Sequence, residues 1–329
     1  MSEERAPARR RVPGTAVDTS VLGVDLDART LGAPADDARN VAVLRRARSF
    51  GLTTFALGEG AAGARAERLL SLAFPDPDPE LLIIARRSLR PLASERSRTP
   101  RGSDLEERLR ASLAESNARL APHSIGLLEW RGDGGNPEEV DVAPALARLR
   151  SDGVLVDVLT PAARAIERWD RPTDGATGPT LVVGPLSLLD VSLVPAIRTR
   201  ADLHPVGVFV RDPFAEGRLD GTRFDRTIAE RGPGSPPPTI RELQREYAPV
   251  LDLGFLSEGR RRTLLQASVQ FVASWPWVCS ILVPLPRPER FGELVDAAAS
   301  PPLSEDEVAR VLAIDARAVA DAPPRGGRK

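Results

Sequence analysis

The chain is expected to fold as a (β/α)8 TIM barrel. Three observations predict it. Eight short apolar strand candidates alternate with amphipathic helical stretches, no segment repeats another, and 329 residues suit one large α/β domain. A doubly wound parallel sheet would give a similar string of elements.

Residues 50–70, FGLTTFALGEGAAGARAERLL, form the clearest unit. Val41, Leu44, Ala47 and Phe50 recur at helical spacing, and Gly51 supplies a C-cap. Residues 53–57 are β-branched and apolar, as in a buried strand. A glycine- and alanine-rich loop spans 58–63, and a second helix begins near Ala64 with Leu69, Leu70 and Ala73 on one face. Upstream, residues 1–15 carry Arg9, Arg10 and Arg11 among Pro, Ala and Glu and read as a disordered tail. Residues 21–32 alternate apolar and polar residues as a first strand.

Further strands are expected at 81–85, 125–130, 154–159, 180–183, 206–210 and 278–283. Helices are expected between them. Ser103 with Glu106, and Ser304 with Glu307, have capping-box spacing. The Pro-, Gly- and Arg-rich residues 212–238 read as a long loop, the kind that is often functional in a compact domain. The expected organisation is a barrel over 16–318 with disordered tails at 1–15 and 319–329.

Composition narrows the function. A net charge of −1 provides no general attraction to nucleic acid or anionic lipid. The single cysteine, Cys279, excludes an internal disulfide and a multi-cysteine zinc site, and two histidines, His123 and His204, argue against a catalytic zinc; no metal is expected. No apolar run approaches the ~20 residues that span a bilayer, so the cytoplasm is the default location. Lys329 is the only lysine and Tyr247 the only tyrosine. No internal amine is therefore available for a Schiff base or a proton relay.

The 50–70 stretch resembles the corresponding unit of the aldo-keto reductases, where a strand leads into Phe-Asp-Thr-Ala, a loop with a Tyr, and Arg-Ser-Glu-Arg-Leu-Leu. Here the frame reads Phe55-Ala56-Leu57-Gly58, then Ala61, then Arg65-Ala66-Glu67-Arg68-Leu69-Leu70. Ser187-Leu188-Leu189-Asp190, Pro213-Phe214-Ala215-Glu216-Gly217 and Val283-Pro284 with Pro288-Glu289-Arg290-Phe291 are similar to other family segments, in the same order. The resemblance covers nearly the whole chain and implies a barrel with an NADP-dependent carbonyl reductase site at the C-terminal ends of its strands.

The family's four catalytic positions have all changed. The resemblance places its Asp on Ala56, its Tyr on Ala61, its Lys on Arg87 and its His on Glu129. Alanine transfers no proton, and Arg, with a pKa above ~12, keeps the charge without relaying protons. Glu129 is expected to pair with Arg87 across neighbouring strand ends. Its cofactor contacts are eroded too, falling on Pro161, Ala162, Val183 and Leu294. A phosphate site is left at the helix start near Pro288, from Arg287 and Arg290, with Arg211 directed into the same region.

Three functional readings follow. The first is a non-catalytic or regulatory barrel that binds a nucleotide or other small phosphorylated ligand through Arg211, Arg287 and Arg290, with NADP at a weakened site. The second is a working NAD(P)H oxidoreductase with a rebuilt site of Glu129 or Glu59 and Arg87. The third is a hydrolase in which Glu59 and Glu129 act as paired carboxylates.

Overall fold

A computed structural model describes residues 7–87, 103–130, 143–170, 180–231, 236–260 and 262–320. Two strands, β1 (Arg9–Arg11) and β2 (Asp18–Ser20), pair antiparallel ahead of the barrel. The barrel strands are β3 (Leu22–Leu26), β4 (Thr54–Leu57), β5 (Leu82–Arg87), β6 (Leu127–Trp130), β7 (Asp157–Pro161), β8 (Leu181–Pro185), β9 (Gly207–Arg211) and β10 (Val278–Pro284). Each pairs in parallel with the next and β10 returns to β3, so the ring closes without an edge. The (β/α)8 barrel is therefore observed, and the doubly wound alternative is not.

Helices α1 (Ala28–Leu31), α2 (Asp37–Ser49), α3 (Gly60–Ala73), α4 (Ser103–Leu120), α5 (Ala143–Ser151), α6 (Ala162–Asp170) and α7 (Val194–Ala201) follow the first strands. After β9 come α8 (Thr222–Glu230), α9 (Ile240–Leu251) and α10 (Leu264–Ala273); α11 (Phe291–Ala299) and α12 (Glu305–Ala320) close the chain.

Alternation along each strand divides the core in two. Outward residues such as Phe55, Ile83, Leu128 and Val210 pack under the helices, while Ala56, Ile84, Leu127 and Phe209 fill the barrel. The interior is tight. A Cβ added at Gly23 would sit 2.9 Å from the Thr54 carbonyl oxygen and 3.0 Å from Leu282. Only glycine lets β3 present its backbone to the barrel axis at that level.

Four expectations are corrected. Arg9, Arg10 and Arg11 are not a disordered tail but strand β1. Arg10 donates to the carbonyls of Ala273 (2.7 Å), Trp275 (2.8 Å) and Val278 (2.6 Å), and the fully buried Val12 joins the barrel-interior cluster. The hairpin closes the N-terminal end of the barrel, a long-range role that local composition does not reveal. The first strand is shorter than 21–32, because Asp27 accepts from the backbone N–H groups of Arg29 (2.9 Å) and Thr30 (3.0 Å) and starts α1. Residues 212–238 contain α8, and Thr239 caps α9 directly afterwards. Finally, α12 continues to Ala320; residues 1–6 and 321–329 of the two expected tails lie outside the described residues. The Ser304–Glu307 box forms as expected, with Ser304 N–H donating to Glu307 at 2.9 Å.

Candidate functional site

The C-terminal ends of the strands surround a cavity of about 500 Å³, within the range of small-molecule sites. Register decides which side chains face it. Asp25 lies beside Ala56, Ala56 beside Ile84, and Arg86 beside Glu129. On the far wall Arg211 lies beside Leu282, and Asp25 beside Pro284. Four charged residues from β3, β5, β6 and β9 thus point into one mouth.

They form a closed network. Arg211 donates one guanidinium nitrogen to Asp25 and the other to Glu129 Oε2 at 2.6 Å. Arg86 Nε meets Glu129 at 3.3 Å, and its Nη2 stands 3.9 Å from Asp25. To reach Asp25 on β3 from β5, Arg86 must pass over the inward residue of β4. That residue is Ala56, whose single methyl leaves the crossing open. The small side chain at position 56 makes room for the network.

Burial sets the electrostatics. It pushes the Asp25 carboxyl above the usual carboxylate range, against the lowering pull of Arg211 and Arg86. For Arg211, burial acts to lower the pKa, but Asp25 and Glu129 together carry it above the ordinary value. Asp212, next along the chain, is also raised by burial, and it holds a left-handed backbone at φ 52° while accepting the Glu216 N–H at 2.6 Å. Two buried atoms of the network, Asp25 Oδ1 and Arg211 Nε, have no hydrogen-bond partner among the described residues.

Arg87 does not join this site. The expected Arg87–Glu129 pair is replaced by Arg86–Glu129, because Ile84 faces inward and the residue two positions on must do the same. Arg87 points outward, under α3 and α4, where it bonds Ser112 at 3.1 Å and Ser116 and meets Glu67 at 3.5 Å. Glu67 is 1% exposed and also takes Arg119 at 2.5 Å. Burial lowers the pKa of Arg87, partly offset by Glu67.

Glu59 is likewise outside the mouth. It occupies the N-cap position of α3 without a capping hydrogen bond, and its charge acts on Arg87. Among the described residues Glu129 lines the cavity and Glu59 does not. Ala61 is exposed on the first turn of α3. The α3 start is pinned by Gly63, where a Cβ would lie 2.5 Å from the Gly58 carbonyl oxygen. Trp130 faces outward and is 7% exposed, so its fluorescence does not report on the cavity. His123 lies before β6, at the N-terminal end of the strand, and its Nε2 is 2.9 Å from the Phe74 carbonyl oxygen.

The three arginines expected around a phosphate do line one cavity. Arg211 is committed to its two carboxylates. Arg287 is exposed and meets Asp225 at 3.2 Å. Arg290 has no ion pair among the described residues. Leu294 lines the same wall. Sequence reading missed Asp25 and Arg86; a lone Asp in the apolar run Leu22–Leu26 and the two-residue period from Leu82 were the signals that could have found them.

No protein-family model and no curated protein sequence matches the chain. Solved structures do. The aldo-keto reductase AKR11C1 from Bacillus halodurans superposes with a TM-score of 0.64 in its apo form, at 16% identity over 94% of this chain and 96% of that one. Its holo form gives 0.67 at 17% identity over the same shares. The glycerol dehydrogenase AKR11B4 from Gluconobacter oxydans gives 0.69 at 17% identity over the full length of both. This chain has the aldo-keto reductase fold. At such identity the likeness extends to the barrel and its connections and not to the chemistry. Among the described residues no helix is long and apolar enough to cross a membrane.

Proposed function

We propose that the barrel mouth binds a small ligand without reducing carbonyls. The observation that supports this reading most is the Asp25–Arg211–Glu129–Arg86 network. Carbonyl reduction needs a group that hands a proton to the developing alkoxide and a cation that helps it do so. Here both inward guanidiniums are occupied by carboxylates, and the described residues that line the cavity include no phenol, imidazole, thiol or amine.

In this reading, ligand contact moves from Arg211 to the outer lip, where Arg287 and Arg290 flank the turn that leads into α11. A nucleotide or other phosphorylated molecule suits those two forks. The NADP that the family resemblance implies makes a nucleotide the first candidate to try. Among the described residues seven carboxylates and six guanidiniums line the cavity, so the attraction for phosphate is local to Arg287 and Arg290 rather than general. Calorimetry against NADP, NAD and ATP is the test. Heat that disappears in Arg290→Ala supports the reading; no heat with any of the three refutes the phosphate part of it.

A second reading, a reductase with a rebuilt site, draws on one observation. Asp25 lines the cavity and burial holds its carboxyl above the ordinary range, so Asp25 is a candidate acid for protonating a bound carbonyl. NADPH consumption with aldehydes that is lost in Asp25→Asn and kept in Glu59→Gln would favour it over the first.

A further inference from the structure

A second cavity, of about 720 Å³, lies at the other end of the barrel from the mouth. It opens where α7 ends, where the turn from α10 into β10 passes, and where α12 begins. β10 starts at Val278, so this turn belongs to the N-terminal end of the strands. Among the described residues the two cavities share no lining side chain. The volume lies within the range of small-molecule sites.

The turn supplies an aromatic lining. Trp275 and Trp277, on either side of Pro276, stack with ring centroids 5.4 Å apart and planes 22° from parallel. Phe271 on α10 meets Trp275 edge-on at 6.1 Å and braces it from behind the turn. Leu303, Val308 and Leu312 add aliphatic surface from the α12 side. A flat, rigid ring system suits such a lining, because it brings a large apolar area and has few rotatable bonds to immobilise.

One polar group selects among flat molecules. Trp275 is 9% exposed, and its indole N–H is buried without an acceptor among the described residues. Most buried donors in folded proteins are matched, and one left unmatched is costly. A carbonyl or ring nitrogen on a molecule in this cavity would match it. Charge selects further: among the described lining residues Asp202 and Glu305 outnumber Arg198, which disfavours an anion. We propose that this cavity is a second binding site, for a flat uncharged aromatic molecule whose ring packs against the Trp275–Trp277 pair and whose acceptor takes the Trp275 N–H.

Equilibrium dialysis of the full chain against coumarin and naphthalene tests this. Both are flat fused two-ring molecules, and only coumarin carries a carbonyl. The native chain is expected to retain both. Trp275→Phe keeps a ring and removes the N–H, so it should weaken coumarin roughly tenfold, the effect of one hydrogen bond, and leave naphthalene unchanged. Ala309→Phe adds bulk to the lining from an exposed position on α12, leaves the tryptophans intact and should abolish retention of both. A native chain that does not retain coumarin overturns the proposal. An equal change for the two compounds in Trp275→Phe overturns it as well, since the indole N–H would then have no part in binding. Should that variant fail to fold, coumarin retention that survives Ala309→Phe places the molecule elsewhere and overturns the proposal by itself.

Discussion

Replacing Arg211 by Met isolates the network at the barrel mouth. The side chains of Arg211, Asp25 and Glu129 are 15%, 14% and 5% exposed, so their pairs are buried rather than surface bridges. Methionine keeps the bulk and removes the charge, leaving Asp25 with only Arg86 at 3.9 Å. Removing one partner of a buried pair costs about 3–5 kcal/mol, because the other charge is left without compensation. In urea unfolding this moves the midpoint down by on the order of 1 M.

The dependence on pH makes the test specific. Asp25 is already raised by burial, and losing Arg211 removes its largest opposing influence, so its folded-state pKa climbs further. A carboxyl raised in the fold holds its proton more tightly there than in the unfolded chain. The stability tied to that proton is complete below the unfolded pKa of about 3.9 and is lost as pH rises through the folded value. The deficit of Arg211→Met should therefore be widest at neutral pH and narrow on acidification. Adding Asp25→Asn should recover most of it, since Glu129 keeps Arg86. A deficit under about 1 kcal/mol at pH 7 would mean that water screens the network. A deficit that does not change with pH would mean that Asp25 is not its source.

Three further outcomes are expected. Arg87→Ala should destabilise the chain by roughly 3 kcal/mol or more, by stripping the buried Glu67 of one cation, and should leave ligand heats at the mouth unchanged; calorimetry and urea melts on the same sample separate the two effects. Arg10→Ala removes three charge-assisted bonds to carbonyls and should cost about 3 kcal/mol or more, again without altering the cavity; a loss below 1 kcal/mol would show that the hairpin does not brace the barrel. Cys279 is 3% exposed and burial pushes its thiol up to about 12, so a thiol reagent should label it only when the chain is unfolded. Fast labelling of the folded chain would contradict its place inside the barrel.

What could be read from the chain was whatever depends on near neighbours. The spacing of Val41, Leu44 and Ala47, the Ser304–Glu307 box and the apolar runs at Thr54–Leu57 and Val278–Pro284 are local preferences that packing reinforced, so the order of strands and helices was legible. Glu129 and Arg211 were recognisable as charges at strand ends. That Ala56 and Ala61 themselves carry no group able to transfer a proton needed only the residue identities.

Tertiary structure decided the rest, because a closed barrel turns one residue of register into opposite sides of a wall. Arg86 and Arg87 are adjacent in the chain, yet one meets Glu129 inside and the other Glu67 outside. Asp25 and Arg211 are 186 residues apart and became partners only when β10 closed between β3 and β9. The hairpin of Arg9–Arg11 has no local reason to order. It is held by carbonyls more than 260 residues away, at an end of the barrel that exists only once all eight strands have met.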